Sequence, residues 1–171
     1  MRKLKIMEHI SLDGVIQSSG EDKFPYSDWT VPYRTPAGRD ALLAAHGGRF
    51  DLLLGRRTYD MWSDSWPKAP SSPMADGLNA AKKYVSTRRP ESLEWGPFEG
   101  LGPDIVEGIR RIKSQDGRDL ILWGSSTLTS TLIRAHQHAN NADRHPPQSL
   151  QGRRAPEMQL HYCCTVISVP A

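Results

Sequence analysis

Apolar residues are concentrated in short segments that alternate with stretches of helical periodicity. Compact apolar runs typical of strands occupy residues 3–10 (KLKIMEHI), 51–54 (DLLL) and 119–123 (DLILW), and residues 83–85 form a shorter one. The segment 105–113 (IVEGIRRIK) carries apolar residues at helical spacing. Strands that alternate with helices predict an α/β domain of three layers around a mostly parallel central sheet.

Glycine, proline and hydroxyl residues mark the expected helix ends. Thr35 followed by proline predicts an N-cap and a helix that runs to about His46, where two glycines end it. A second helix is expected to follow residues 124–127 and to reach about Ala135. The proline-rich stretch 66–90 is predicted to be a loop, apart from its short strand.

The bulk properties are those of one globular domain. The chain has 171 residues, of which 37% are hydrophobic and 24% charged, and it shows no internal repeat, so we expect residues 1–171 to form a single domain. The apolar stretch at the start is too short for a signal peptide or a membrane span, and we expect a cytoplasmic protein without membrane partners. The two cysteines, Cys163 and Cys164, are adjacent, which disfavours an ordinary disulfide and suits a reducing compartment.

The net charge of +3 does not indicate a nucleic-acid partner. Residues 1–133 carry 18 Lys and Arg against 17 Asp and Glu, so most of the chain is nearly neutral. A nucleic-acid footprint needs a continuous basic stripe, which short local groups of basic residues do not provide. Binding through the basic tail stays a third reading of the function, and it predicts a steep dependence of affinity on salt.

Polar residues follow three of the predicted strands, each time just before a helix or a loop. In open α/β sheets, ligands bind beyond the carboxyl ends of the strands, and helix N-termini suit phosphate groups. The candidate ligand contacts are Gly55, Arg56, Arg57 and Thr58 at the first junction; Ser86, Thr87 and Arg88 at the second; and Gly124, Ser125, Ser126 and Thr127 at the third.

The three junctions differ in what they offer a ligand. Glycine permits close approach of a phosphate, an arginine adds a charge-assisted contact, and two hydroxyls beside a guanidinium suit a 2′-phosphate. The alternative at the first junction is a glycine turn with a threonine cap and solvated arginines, and at the second an ordinary polar loop. The third junction lacks the GxGxxG spacing of a dinucleotide fingerprint, so a Rossmann domain is not indicated.

Four segments resemble the dihydrofolate reductase superfamily, and in particular the bacterial branch similar to the reductase domain of the bifunctional riboflavin-biosynthesis deaminase-reductase. These segments are KLKIMEHISLDGVIQ, LLLGRRTYDMWSDSWP, ADGLNAAKKYVSTR and LILWGSSTLTSTLI, and they cover roughly residues 3–134. The resemblance implies a dihydrofolate-reductase-like fold, a homodimer and NADPH as cofactor. It implies cofactor contacts at Gly55, Arg56, Thr58, Ser86, Thr87, Arg88, Gly124, Ser125, Ser126 and Thr127.

Two carboxylates are candidates for the proton donor of such a reductase. Asp13, in the SLDG motif after the first strand, could line the substrate cleft, and Asp40 lies on the helix before the DLLL strand, near where dihydrofolate reductases place their acidic residue. The alternatives are a turn residue for Asp13 and a solvated helix carboxylate for Asp40. The long polar segment 11–33, with Phe24, Tyr26, Trp29 and Tyr33, is expected to shape the substrate pocket.

The resemblance ends after about residue 135. The tail 136–171 is polar at first, and residues 158–169 (MQLHYCCTVISV) are expected to form one last strand. A one-nucleotide shift of reading frame is an open hypothesis for this tail, because the codons for residues 136–147, read one base later, can encode an apolar strand. The histidines of the tail fit no zinc-ligand spacing, so no metal site is predicted.

These observations leave two main functions open. The first is an NADPH-dependent reductase that transfers a hydride to a small pterin- or pyrimidine-like heterocycle. The alternative is a nucleotide-binding module without turnover, either regulatory or inactivated by its altered C-terminal segment. Oxidation of NADPH in the presence of a heterocycle distinguishes the two, and the sequence does not identify the substrate.

Overall fold

Six strands form one sheet in which five are parallel. The computed structural model describes residues 2–11, 13–16, 29–142 and 163–169, with the backbone alone for 136–142 and 163–169. The strands are β1 (Leu4–Ile10), β2 (Phe50–Gly55), β3 (Lys83–Ser86), β4 (Phe98–Gly100), β5 (Asp119–Trp123) and β6 (Cys163–Val169). Their order in the sheet is β4-β3-β2-β5-β1-β6, and β6 runs antiparallel to β1.

Helices cover both faces of the sheet. They are α1 (Pro36–His46), α2 (Arg56–Ser65), α3 (Pro73–Ala80), α4 (Ile105–Ser114) and α5 (Ser126–Ala142). On β2, Leu52 and Leu54 face a core shared with α1, α2 and α3, while Leu53 faces a second core with α4 and α5. Parallel strands buried on both faces read as continuous apolar runs, which is the pattern of DLLL and DLILW. The predicted three-layer α/β architecture with a mostly parallel sheet is confirmed.

Local capping signals fix several of the helix ends. The Thr35 hydroxyl accepts a hydrogen bond from the Gly38 amide at 3.1 Å, and Gly47, at φ +72°, ends α1. Asp104 caps α4 in the same way through the Glu107 amide, at 3.0 Å. The predicted bounds of α1 are therefore correct, because its side-chain cap and its glycine stop are both local features.

Three sequence expectations differ from the structure. The stretch 66–90 is not a loop throughout, because Ser72 caps α3 by accepting a hydrogen bond from the Ala75 amide at 3.2 Å. The three-residue strand β4 was not predicted, and α5 extends to Ala142 rather than to about Ala135. Within the predicted last strand, residues 163–169 do form β6.

A buried charged cluster lies at the amino ends of the strands. Arg2, only 3% exposed, forms an ion pair with Asp51 of β2 and donates a hydrogen bond to the Tyr84 hydroxyl of β3 at 3.0 Å. It also donates to the carbonyl of Arg118, just before β5. Arg2 thus links β2, β3 and β5 at the amino ends of these strands. The cleft opens at the other end of the sheet, where the strands have their carboxyl ends. None of the helices in the described ranges has the length and apolar character needed to cross a bilayer.

Candidate functional site

A cleft of about 950 Å³ opens at the carboxyl ends of the parallel strands. This is the place where open α/β sheets bind ligands, and its size is within the range of pockets for cofactors and small molecules. Aromatic and aliphatic side chains form much of its wall: Leu42, Met61, Trp62, Trp66, Met74, Leu78 and Trp123. In the described part of the chain, four arginines line it, Arg34, Arg39, Arg56 and Arg57, and so does His9.

Ser125 joins two of the strand-to-helix junctions. Its hydroxyl accepts a hydrogen bond from the Gly55 amide at 2.8 Å and is hydrogen-bonded to the Thr58 hydroxyl, also at 2.8 Å. A Cβ added at Gly55 would stand 2.8 Å from this hydroxyl oxygen, so only glycine fits at the end of β2. The ends of β2 and β5 are therefore held together by hydroxyl and backbone groups at the bottom of the cleft.

The turn between β5 and α5 has an unusual backbone. Gly124 has φ +56° and Ser125 has φ +65°. Among the non-glycine residues that the structure describes, Ser125 alone lies in the left-handed region. Such a conformation costs a non-glycine residue about 1–2 kcal/mol and is held where surrounding contacts demand it. This connection places the first helical turn of α5, with Ser126 and Thr127, at the cleft wall. Helix N–H groups of the kind that bind phosphate therefore lie there.

Arg56 connects the first junction to the second. Its Nε donates to both carboxylate oxygens of Asp60, at 2.8 and 2.9 Å, and its Nη1 donates to the Ser92 hydroxyl at 2.5 Å. The same Nη1 lies 3.4 Å from the Thr87 hydroxyl oxygen. The hydrogen bond to Asp60 raises the pKa of Arg56. The guanidinium is thus fixed in place at the cleft wall before any ligand binds.

The structure brings most of the predicted cofactor contacts to one place. Eight of the ten line the cleft: Gly55, Arg56, Thr58, Ser86, Gly124, Ser125, Ser126 and Thr127. Thr87 and Arg88 do not line it. Thr87 instead contacts Arg56 and accepts a hydrogen bond from the Arg89 amide at 3.0 Å, while Arg88 is exposed.

The two carboxylates predicted as proton donors lie outside the cleft wall. Asp13 is exposed, and its carboxylate accepts a hydrogen bond from the Ser11 hydroxyl in a turn that the Gly14 amide closes onto the Ser11 carbonyl. Asp40 is exposed on α1, with its carboxylate 3.5 Å from Arg39. A turn residue and a solvated helix carboxylate are the roles that this geometry supports.

Several cleft residues were given no ligand role by the sequence. Trp123 ends β5, and its ring lies 6.0 Å from that of Trp62 and 5.5 Å from that of His9. The position of Trp123 directly before the GSST turn was a usable signal. Arg34 and Arg39 had no such signal, because nothing in the neighbouring sequence shows that the start of α1 lies at the cleft. Of the loop aromatics, Tyr33 lines the cleft, whereas Phe24 and Tyr26 are outside the described residues.

Two histidines flank Trp123 in different environments. The Trp123 indole N–H donates to Nε2 of His46 at 2.7 Å, and burial lowers the pKa of His46 to about 4. His9 is half-buried at the cleft wall, where desolvation and the charge of Arg34 lower its pKa. His46 is therefore neutral at pH 7, and the surroundings of His9 favour its neutral form.

The described residues contain no group of three or more His, Cys, Asp or Glu side chains placed to hold a metal ion. The side chains of the tail histidines, His136, His138, His145 and His161, are outside the part of the chain that the structure describes. The prediction that no metal site is present is therefore untested for the tail.

Comparison with known proteins gives a distant similarity. No family model matches the chain. The uncharacterized protein YyaP of Bacillus subtilis (strain 168) is 25% identical over 129 residues, which cover 72% of this chain and 63% of that protein. The chain thus matches less than two thirds of the length of this relative, whose name states no activity.

Proposed function

We propose that this protein is an NADPH-dependent reductase of the dihydrofolate-reductase-like type that transfers a hydride to a small planar heterocycle. The observation that carries the proposal is the convergence of three separate junctions on one cleft. Gly55, Ser86 and Ser125 are 31 to 70 positions apart in sequence, yet all line the same wall. Hydroxyl residues line the cleft at all three junctions, and Arg56 adds a guanidinium at the first.

The residues present fit a phosphorylated dinucleotide. Gly55 and Gly124 add no side chain to the cleft wall, the first turn of α5 supplies N–H groups, and Arg56 supplies a guanidinium held in place by Asp60. NADPH supplies a hydride, and the protein's part is to orient the nicotinamide against the acceptor. The aromatic wall formed by Trp62, Trp66 and Trp123 suits a flat acceptor ring, because aromatic faces stack on such rings.

The direct test is a titration with NADPH and, separately, with NADH, followed by ligand fluorescence and melting temperature. We expect NADPH to bind more tightly and Arg56→Gln to weaken its binding by about tenfold or more, as expected for the loss of a charge-assisted hydrogen bond. Arg110→Gln is the matched control, because Arg110 is an exposed arginine of α4 whose neighbour is Glu107 and which does not line the cleft. Absence of NADPH binding by the folded wild-type protein would contradict the proposal.

A nucleotide-binding module without turnover is the second candidate. It is favoured by one observation: in the described ranges, no aspartate or glutamate lines the cleft, and Asp13 and Asp40 lie outside it. Tight NADPH binding without oxidation across a panel of pterins and pyrimidines would support this candidate over the reductase.

The cytoplasmic location and the homodimer are also part of the proposal. The homodimer follows from the resemblance, and the adjacent Cys163 and Cys164, which disfavour an ordinary disulfide, suit a reducing compartment. Light scattering on the purified full chain measures the oligomeric state, and a monomer at micromolar concentration would contradict the homodimer.

A further inference from the structure

His9 is a titratable side chain of the cleft wall that belongs to a central strand. It lies near the carboxyl end of β1, lines the cleft, and has its ring 5.5 Å from that of Trp123. Its position at a strand end fixes the imidazole more firmly than a loop would. Its neighbour Glu8 points to the other face of the sheet, where the carboxylate accepts a hydrogen bond from Thr129 at 2.6 Å.

The charges around His9 are positive in the described part of the cleft. Arg34 acts on it directly, and the other titratable groups of the cleft wall are Tyr33, Arg39, Arg56 and Arg57. His46 lies behind Trp123 and is itself neutral at pH 7. Burial and Arg34 together lower the pKa of His9 and so favour its neutral form. An anionic ligand in the same cleft opposes both effects, because a negative charge nearby favours the imidazolium.

We propose that His9 is the proton donor of this reductase and that the anionic cofactor in the cleft favours its protonated form. This inference rests on the proposed function. His9 is suited to the role because its ordinary pKa lies near neutrality, whereas the arginines of the cleft do not release protons and a tyrosine does so near pH 10.

The step balances in atoms and electrons. The hydride from NADPH forms a C–H bond at the carbon of a ring C=N group, and the π electrons of that group move to its nitrogen. The nitrogen takes the proton from the His9 imidazolium, which is left as neutral imidazole. A proton from water then restores the imidazolium while the oxidised cofactor is replaced by a new NADPH.

The test begins with the titration of histidine signals by NMR in the full-length protein, with and without NADPH. His9→Gln identifies the His9 signal by its absence, and His46, behind Trp123, serves as an internal control. We expect the pKa of His9 to rise by at least half a unit when NADPH is bound, and that of His46 to change less. An unchanged His9 signal in protein that demonstrably binds NADPH overturns the inference and leaves the proposed function standing. A wild-type protein that does not bind NADPH overturns both.

Turnover supplies the second readout, with 7,8-dihydropterin, which has a ring C=N group, as the acceptor. We expect the wild-type kcat to rise as the pH falls, because His9 then carries its proton. Glutamine preserves hydrogen bonding but cannot carry a proton, so His9→Gln should lower kcat about 100-fold, weaken NADPH binding only a few-fold and remove this rise. A glutamine variant that keeps the wild-type kcat and pH profile would show that His9 only positions the ring. If the wild-type protein binds NADPH but reduces no acceptor of the pterin and pyrimidine panel, the module without turnover replaces the reductase and the donor role of His9 is overturned with it. Melting temperature establishes that the variant is folded, and His9→Asn is the substitute if it is not.

Discussion

One hydroxyl group, that of Ser125, joins the ends of β2 and β5 at the cleft wall. The Ser125 hydroxyl is shared between the Gly55 amide and the Thr58 hydroxyl, and Ser125 itself has φ +65°. Glycine would adopt this backbone conformation with less strain, but the serine side chain is needed for the two hydrogen bonds. A residue with a backbone cost and a bonded hydroxyl at a cleft wall is typical of a functional turn.

Replacement of Ser125 separates these two effects. Ser125→Ala loses the hydroxyl and keeps the backbone cost, so we expect it to lower the free energy of unfolding by about 2 kcal/mol. Ser125→Gly also loses the hydroxyl but relieves the backbone, so it should cost about 1 kcal/mol less than the alanine. Urea unfolding measures both. Ser130→Ala, an exposed serine on α5, is the control and should change stability by less than about 0.5 kcal/mol. Equal losses for the two Ser125 variants would show that the positive φ carries no cost.

At this scale the sequence predicted residue types better than it predicted contacts. Gly55, Thr58 and Ser125 were identified because glycine and hydroxyl residues directly after strands are a local pattern. The hydrogen bonds between them span 67 and 70 positions, which no local pattern contains. Asp13 and Asp40 were selected by their place along the chain, and the structure shows that this place is not the cleft wall.

Helix α1 and strand β5 are joined by a buried polar contact between apolar elements. His46 lies in the last turn of α1, where the helix dipole favours an imidazolium. Burial outweighs the dipole: His46 is 5% exposed, its ring lies 4.9 Å from that of Phe50, and it accepts the indole hydrogen bond of Trp123. A protonated Nε2 cannot accept this bond, so the contact requires the neutral form.

Acid should therefore destabilise the packing of α1 on β5. The pKa of His46 falls from 6.5 to about 4 on folding, so the unfolded chain binds more protons between these values. The stability that it contributes is complete above pH 6.5 and is lost as the pH falls toward 4, by at most about 3 kcal/mol. Urea unfolding at pH 7 and pH 5 checks this. In His46→Gln, whose amide oxygen can accept the Trp123 bond, the loss between the two pH values should be smaller than in the wild type. An identical loss would assign the acid sensitivity to other groups.

Elements with their own caps were predictable, whereas elements formed by tertiary contacts were not. The Thr35 cap and the Gly47 stop delimit α1 in the sequence itself. Helix α3 has an equally local signal, Ser72 followed by Pro73, but the surrounding prolines concealed it. Strand β4 has three residues and exists because Phe98–Gly100 pair with β3, so its own pattern is too short to indicate a strand.

The molecule as a whole depends on a strand from its divergent tail. Strand β6 pairs along all seven residues of β1, from Leu4 opposite Val169 to Ile10 opposite Cys163. It thereby makes β1 an inner strand, flanked on its other side by β5. The sequence predicted a last strand within residues 158–169 but not its partner, because pairing across more than 150 residues leaves no local trace. The frame-shift hypothesis for residues 136–171 stays a prediction, which sequencing of the gene tests.

Disruption of β6 should destabilise the whole domain rather than the cleft alone. Without β6, β1 would become an edge strand with unpaired backbone groups, although Leu4, Ile6 and Met7 on it are at most 1% exposed. Ile167 lies opposite Ile6 in the middle of β6. The Met7 carbonyl accepts from the Gly124 amide on the β5 side, so it is the backbone of the neighbouring Ile6 that faces β6. Ile167→Pro therefore removes a backbone donor of the β1–β6 ladder. We expect this variant to lower the melting temperature by several degrees, as a loss of about 3 kcal/mol or less would do, and to increase aggregation. Ile167→Val is the matched control, because it keeps the backbone donor and a β-branched side chain. Since every proposed cofactor contact precedes the tail, the folded fraction of the proline variant should bind NADPH as the control does. An unchanged melting temperature for Ile167→Pro would show that β6 does not support β1.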